Sequence, residues 1–160
     1  MRIIGVDPGT ATTGFGIIEY TAGKSTFVDA GVITTPAGQP MPERLITIHV
    51  ELAQVIAETR PQEAAVELLY FATNVTTAIS VGQARGVILL TLAEAHLHPA
   101  EYTPMQVKQA VTGYGGAKKP QIQEMVRVLL KLPFIPRPDD AADALAIAMT
   151  HAGQNIKLPK

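Results

Sequence analysis

The chain opens Met1-Arg2-Ile3-Ile4-Gly5-Val6-Asp7-Pro8-Gly9-Thr10, and the run from Ile3 to Asp7 decides how the rest is read. In an extended chain residues 2–7 are apolar on both faces, which predicts a central strand. Pro8-Gly9 stops it. The strand ends on a carboxylate, and a carboxylate buried without a partner is costly. Asp7 therefore calls for a structural cation, a phosphate-binding loop built around it, or a catalytic metal. The plainest alternative is a turn aspartate that accepts from the amides of Gly9 or Thr10.

Downstream, residues 13–20 and 26–34 are β-branched or alternating, with Ala22-Gly23-Lys24 as a turn between them. With the first strand they predict an antiparallel meander of three strands. Residues 43–59 carry Leu45, Ile48, Leu52, Val55 and Ile56 on one helical stripe. Ala64 to Leu69 reads as a short strand that contains Glu67. Thr73 or Asn74 can cap a helix running to about His96. Within it Gly82 and Gly86 each cost about 1 kcal/mol relative to alanine. Glycines one turn apart let another backbone approach closely, which is a packing reason to keep them. A strand over 99–103 and helices over 104–112, 120–131 and 139–151 follow. The order βββαβαβααα predicts an α/β fold, a mixed sheet flanked by helices. One domain over 1–152 is expected, with 153–160 a flexible tail.

With 47% hydrophobic and 17% charged residues, much of a 160-residue chain must lie inside. It has no cysteine, so disulfides and thiolate metal sites are excluded, which fits a cytoplasmic location. No apolar run reaches bilayer length and no secretory signal is evident, so no membrane partner is expected. The sequon Asn74-Val75-Thr76 is discounted for the same reason. The net charge of −1 does not advertise a nucleic-acid binder. Its distribution says more. The first hundred residues hold 5 basic and 9 acidic side chains, the remaining sixty 8 and 5. Lys108, Lys118, Lys119, Arg127, Lys131 and Arg137 can form a local phosphate-binding surface, or simply solvated helix faces.

Four acids stand in apolar surroundings: Asp7, Glu67, and the pair Asp140 and Asp143, which share a helix face at i and i+3. Asp139 fits the helix cap. Glu67 could pair with a lysine instead. Acids gathered in one pocket raise each other's pKa, and a divalent cation relieves that. Oxygen donors without cysteine or a histidine cluster suit Mg²⁺ or Mn²⁺. His49, His96, His98 and His151 show no ligand spacing, and His151 stands near a helix C-terminus, where a cation is favoured.

Asp7-Pro8-Gly9 with Thr13-Gly14-Phe15-Gly16, Glu67 after a short strand, Gly82-Gln83-Ala84-Arg85-Gly86, Gln106-Val107-Lys108-Gln109 and Asp140-Ala141-Ala142-Asp143-Ala144-Leu145-Ala146-Ile147-Ala148 stand in order along the chain. Together they resemble the RuvC family of bacterial Holliday-junction resolvases from residue 2 to about 151. The resemblance implies an RNase H-like fold, of the retroviral integrase superfamily, with a mixed five-stranded sheet. It implies a crossover junction endodeoxyribonuclease of recombination and repair. Such an enzyme cuts opposed strands of a four-way DNA junction symmetrically and leaves ligatable nicks.

By the family motif Asp7, Glu67, Asp140 and Asp143 are the catalytic, metal-binding acids, holding two Mg²⁺ per site with Mn²⁺ able to substitute. Tyr70 or Phe71 would lie at the junction crossover. Lys108 and Lys119 match basic positions that face phosphate, with Lys118 and Arg85 as further DNA-contacting candidates. A homodimer is implied, with the branch-migration proteins RuvA and RuvB as partners. Two other readings stand beside this one. Asp-x-Gly-Thr resembles the phosphate loop of actin-like and Hsp70-like ATPases, although 160 residues leave room for one lobe and show no second loop. A non-catalytic junction-binding protein is the other, and the acids argue against it.

Overall fold

The computed structural model describes residues 1–68 and 75–154. Tyr70, Phe71, the Thr73/Asn74 cap and the tail beyond Gln154 lie outside the described residues. The elements run β1 (Arg2–Asp7), β2 (Thr12–Thr21), β3 (Lys24–Thr34), α1 (Met41–Thr59), β4 (Glu63–Glu67), α2 (Val75–Glu94), β5 (Ala100–Tyr102), α3 (Pro104–Thr112), α4 (Lys119–Leu129) and α5 (Asp139–Gln154). This is the order the periodicities predict. Capping explains some of the boundaries. Thr103 and Gln106 form a reciprocal capping box at the start of α3, and Gly113 closes it at φ 75°.

The strands form one sheet in the order β3-β2-β1-β4-β5. β1 pairs antiparallel with β2, and β2 with β3, which is the expected meander. On its other edge β1 pairs parallel with β4, and β4 with β5. β1 is therefore central. Alternation sends Ile4 and Val6 to one face, where they meet α1 and α2 through Ile48, Leu52, Ile88 and Leu92. Ile3 and Ala65 point to the other face, against α5 and, behind it, α3 and α4. α5 lies between the sheet and those two helices, and so Ala144 to Ala148 are buried without a break.

α5 sits unusually low on the sheet, and three glycines are the reason. Gly5 and Gly16 face each other across β1 and β2, and Gly14 faces Asp7. A Cβ on Gly5 would come to 2.6 Å from the Ala148 amide nitrogen, and one on Gly16 to 2.5 Å from that of Leu145. A Cβ on Gly14 would collide with the carbonyl oxygen of Asp140. The missing side chains form a trough into which the helix backbone drops.

α2 corrects one expectation. Among the described residues it is the one helix long and apolar enough to cross a membrane by length and composition. It contains no unbroken apolar run of that length, because glycine, serine and threonine interrupt the run without making the helix polar. Its inner face, Ala84, Ile88 and Leu92, is buried in the domain core.

Candidate active site

β1 and β4 are parallel, so their C-terminal ends emerge side by side and carry Asp7 and Glu67 to the same edge. By alternation both point to the face covered by α5. The N-terminus of α5 reaches that edge and supplies Asp139, Asp140 and Asp143. Acids as much as 136 residues apart are thereby gathered by three elements. The loop after Asp7 is anchored on both sides. Thr13 Oγ1 donates to the Gly9 carbonyl (2.7 Å), Thr35 Oγ1 donates to the Thr10 carbonyl (2.6 Å), and Thr10 Oγ1 reaches Ser80 Oγ on α2 (3.1 Å). Arg44 donates in turn to Thr35 Oγ1 at 2.7 Å.

The charges interact as gathered carboxylates must. Burial pushes Asp7 up from its ordinary 3.8 to about 8, and the charges of Glu67, Asp143 and Asp140 add to the rise. Glu67 is pushed up to about 7, again by burial first and by Asp143 second, with Lys108 and Lys119 pulling the other way. Asp143 is raised by burial, against the pull of Lys119. The Lys119 ammonium lies 2.9 Å from Asp143 Oδ2 and 3.9 Å from Asp139 Oδ2. Burial alone would lower its pKa, but the hydrogen bond to Asp143 and the nearby aspartates raise it overall.

A cleft of about 460 Å³ opens here, and its walls include Glu67, Asp143, Lys108, Lys118 and Lys119. Residues singled out from four separate places in the sequence thus share one cavity. Not every candidate does. Asp7 and Asp140 stand outside its walls. Arg85 pairs with Glu101 on β5 at 2.7 Å and is only 19% exposed, so its guanidinium fastens α2 to the sheet and is not part of the cleft. Arg127 is held by Glu124 at 2.6 Å and by the Leu132 carbonyl. Asp139 does more than begin the helix, since it accepts from Arg137 at 2.9 Å. His151 is buried: its Nδ1 meets the Tyr102 hydroxyl at 2.8 Å and its Nε2 meets Glu63. Glu63 lies 88 residues from His151, and no local signal announces such a pair.

Among the described residues, no three acidic or imidazole side chains are closed to the spacing of a ligand shell. The donor chemistry nonetheless fits a hard divalent cation. The donors are carboxylate oxygens, and burial first and their mutual charge second make ionisation costly, a cost that such a cation would relieve.

The family model described as crossover junction endodeoxyribonuclease RuvC matches residues 3–151. The chain belongs to the RuvC family. A relative carrying that name in Chloroflexus aurantiacus is 59% identical over 95% of this chain and 93% of its own. The structure of Thermus thermophilus RuvC in complex with Holliday junction substrate is similar at a TM-score of 0.89. It is 40% identical, over 95% of this chain and 93% of that one. The yeast mitochondrial Holliday junction resolvase Ydc2 matches at a TM-score of 0.66 and 12% identity, covering 94% and 78%; this likeness speaks for the fold alone. The fold is RNase H-like, and RuvC nucleases are metal-dependent.

Proposed function

We infer that the chain is a crossover junction endodeoxyribonuclease that cuts opposed strands of a four-way DNA junction. The observation that carries this is the cleft itself. Glu67 of β4 and Asp143 of α5 line it with Lys108, Lys118 and Lys119, and Asp7 of β1 is coupled to both acids by charge, in a chain matched to the RuvC family along nearly its whole length. An ATP-binding lobe is not favoured, and a passive binder would gain nothing from burying these acids.

In this reading Asp7, Glu67, Asp140 and Asp143 hold divalent cations, two Mg²⁺ with Mn²⁺ as a substitute. Bound there, the cations supply the positive charge that makes a phosphodiester attackable at neutral pH. The chain's own groups do the rest. Lys108 and Lys118 grip phosphates beside the cut. Lys119 already stands 2.9 Å from Asp143, so its ammonium meets a phosphoryl oxygen arriving at the acids and offsets the charge that develops on it. Residues 1–152 form the nuclease domain. Tyr70 or Phe71 is proposed for the crossover. RuvA and RuvB are proposed partners, and the cytoplasm, where the chromosome lies, is the proposed location.

Symmetric cutting needs two such sites related by a two-fold axis. We propose α2 as the main dimer contact. Val75, Ile79, Gly82, Gly86 and Leu90 form one stripe on its outer side, with Ile79 60% exposed. Beyond the helix's own backbone, no described atom lies within 4 Å of a Cβ built on Gly82 or Gly86, so packing among the described residues does not explain the glycines.

A synthetic four-way junction tests the function. Wild-type protein should make symmetric cuts in Mg²⁺ and none in EDTA. Asp7→Asn should bind the junction and lose cleavage by at least a hundredfold. Full cleavage by that variant would remove Asp7 from the active centre.

A further inference from the structure

We infer that Tyr114 is a DNA-contacting residue of the cleft, one that packs on the sugar-and-base face of the nucleotide beside the cut and not on its phosphate. The inference rests on the junction-cleaving function proposed above.

Tyr114 lies in the connection Gly113-Tyr114-Gly115-Gly116 between α3 and α4. That connection is tightly held. The Gly113 amide donates to the Gln109 carbonyl at 2.9 Å, and the Gln109 side chain donates back to the Gly113 carbonyl at 2.8 Å. The Tyr114 amide donates to Thr112 Oγ1 at 3.1 Å, and the Ala117 amide donates to the Tyr114 carbonyl at 3.1 Å. The backbone on both sides of the tyrosine is therefore fixed, yet its side chain is left in solvent. Tyr114 is 66% exposed, and its neighbour Met105 is 69% exposed.

The ring lies over a bare backbone. A Cβ added to Gly116 would lie 2.6 Å from Tyr114 Cζ, so glycine there leaves the ring its place. Gly115 likewise leaves room for Met105, whose Cγ would stand 3.1 Å from a Cβ. Gly116 itself lines the cleft together with Glu67, Asp143, Lys108 and Lys118. An aromatic ring thus stands against a glycine of the cleft wall, on the connection between the elements that carry Lys108 and Lys118.

The chemistry of a DNA strand says what meets it. Phosphates go to the lysines and to the acid-held cations. Between one phosphate and the next a strand offers only deoxyribose and base, and both present apolar faces. A ring carried on the connection between phosphate-binding lysines is placed for that intervening surface. Such a contact releases no counterions, unlike a lysine–phosphate pair. It has the magnitude of a base–aromatic contact, roughly five- to 150-fold in affinity when the ring is removed.

The two kinds of contact separate in a salt titration. Binding of the full chain to a four-way junction is measured from low to moderate salt, with Ca²⁺ in place of Mg²⁺ to hold the DNA uncut. Tyr114→Ala should weaken binding at least fivefold with the slope of log K against log salt unchanged, and Tyr114→Phe should bind as wild type. Lys118→Ala, by contrast, should flatten the slope. Equal melting temperatures of the three Tyr114 forms establish that folding is intact. Wild-type affinity in Tyr114→Ala, or a loss accompanied by a flatter slope, overturns the inference. Wild-type protein is assayed alongside: if it neither binds nor cuts the junction, the function fails first, and if it does both, a silent Tyr114 overturns this inference alone.

Discussion

At the scale of the residue, Asp7 is a group that folding holds in its protonated form. In buffer with a chelator the folded chain keeps the Asp7 proton until about pH 8 and the Glu67 proton until about pH 7. The unfolded chain releases both near pH 4. Between those limits the folded state binds more protons than the unfolded one, so this pair makes stability fall as pH rises from about 4 to about 8, and adds no slope above. Asp7→Asn removes the larger contribution. In EDTA at pH 8.5 the variant should melt several degrees above wild type, and the gap should close toward pH 5. Added Mg²⁺ should raise the wild-type melting temperature at pH 8.5 and leave the variant nearly unmoved, because ligands that bind only the folded state stabilise it. A gap that widens toward acid would contradict the burial of Asp7. The acids were legible in the sequence, since a carboxylate ending an apolar run has few innocent explanations. The Arg85–Glu101 and Glu63–His151 pairs were not, because each joins residues that only the tertiary fold brings together.

At the scale of the element, the site is precise because α5 is close. The periodicities give the helices and strands within a few residues, and the antiparallel meander follows from its short turn. They do not give the parallel pairing of β1 with β4, which puts Glu67 beside Asp7 after a crossover through α1. Nor do they reveal the glycine trough, since Gly5, Gly14 and Gly16 read in sequence as flexible spots within strands. Its consequence is specific to the N-terminal end of α5. In Gly14→Ala the new methyl group meets the Asp140 carbonyl, so the end of the helix that bears Asp140 and Asp143 must lift. Overpacking of this kind costs about 1–3 kcal/mol. The variant should remain folded with a melting temperature lower by roughly 2–10 °C. Cleavage should fall by a larger factor than junction binding, because the lifted end carries Asp140 and Asp143 themselves, whereas the phosphate-facing lysines stand on α3 and at the entry to α4. Binding and cleavage falling by the same factor would show that the trough serves stability alone.

At the scale of the whole molecule, the outer stripe of α2 is the surface a second copy would cover. Among the described residues its apolar side chains are exposed and its glycines bare, and α1 adds Ile46, also largely exposed, on the same layer. The stripe is also wired to the site: Ser80 beside Ile79 meets Thr10, three residues past Asp7. A charge on the stripe should therefore separate the copies without emptying the cleft. For Ile79→Lys, sedimentation should show a shift from dimer to monomer at micromolar concentration. A supercoiled plasmid with an extruded cruciform then reads out coupling. Paired cuts within one binding event give linear DNA, whereas a lone cut lets the supercoil relax and the cruciform reabsorb, leaving a nicked circle. Wild type should give mainly linear product and Ile79→Lys mainly nicked circles, with single-strand cutting of a fixed synthetic junction reduced but measurable. A variant that stays dimeric, or a monomer that still linearises the plasmid, would place the two-fold axis elsewhere on the molecule.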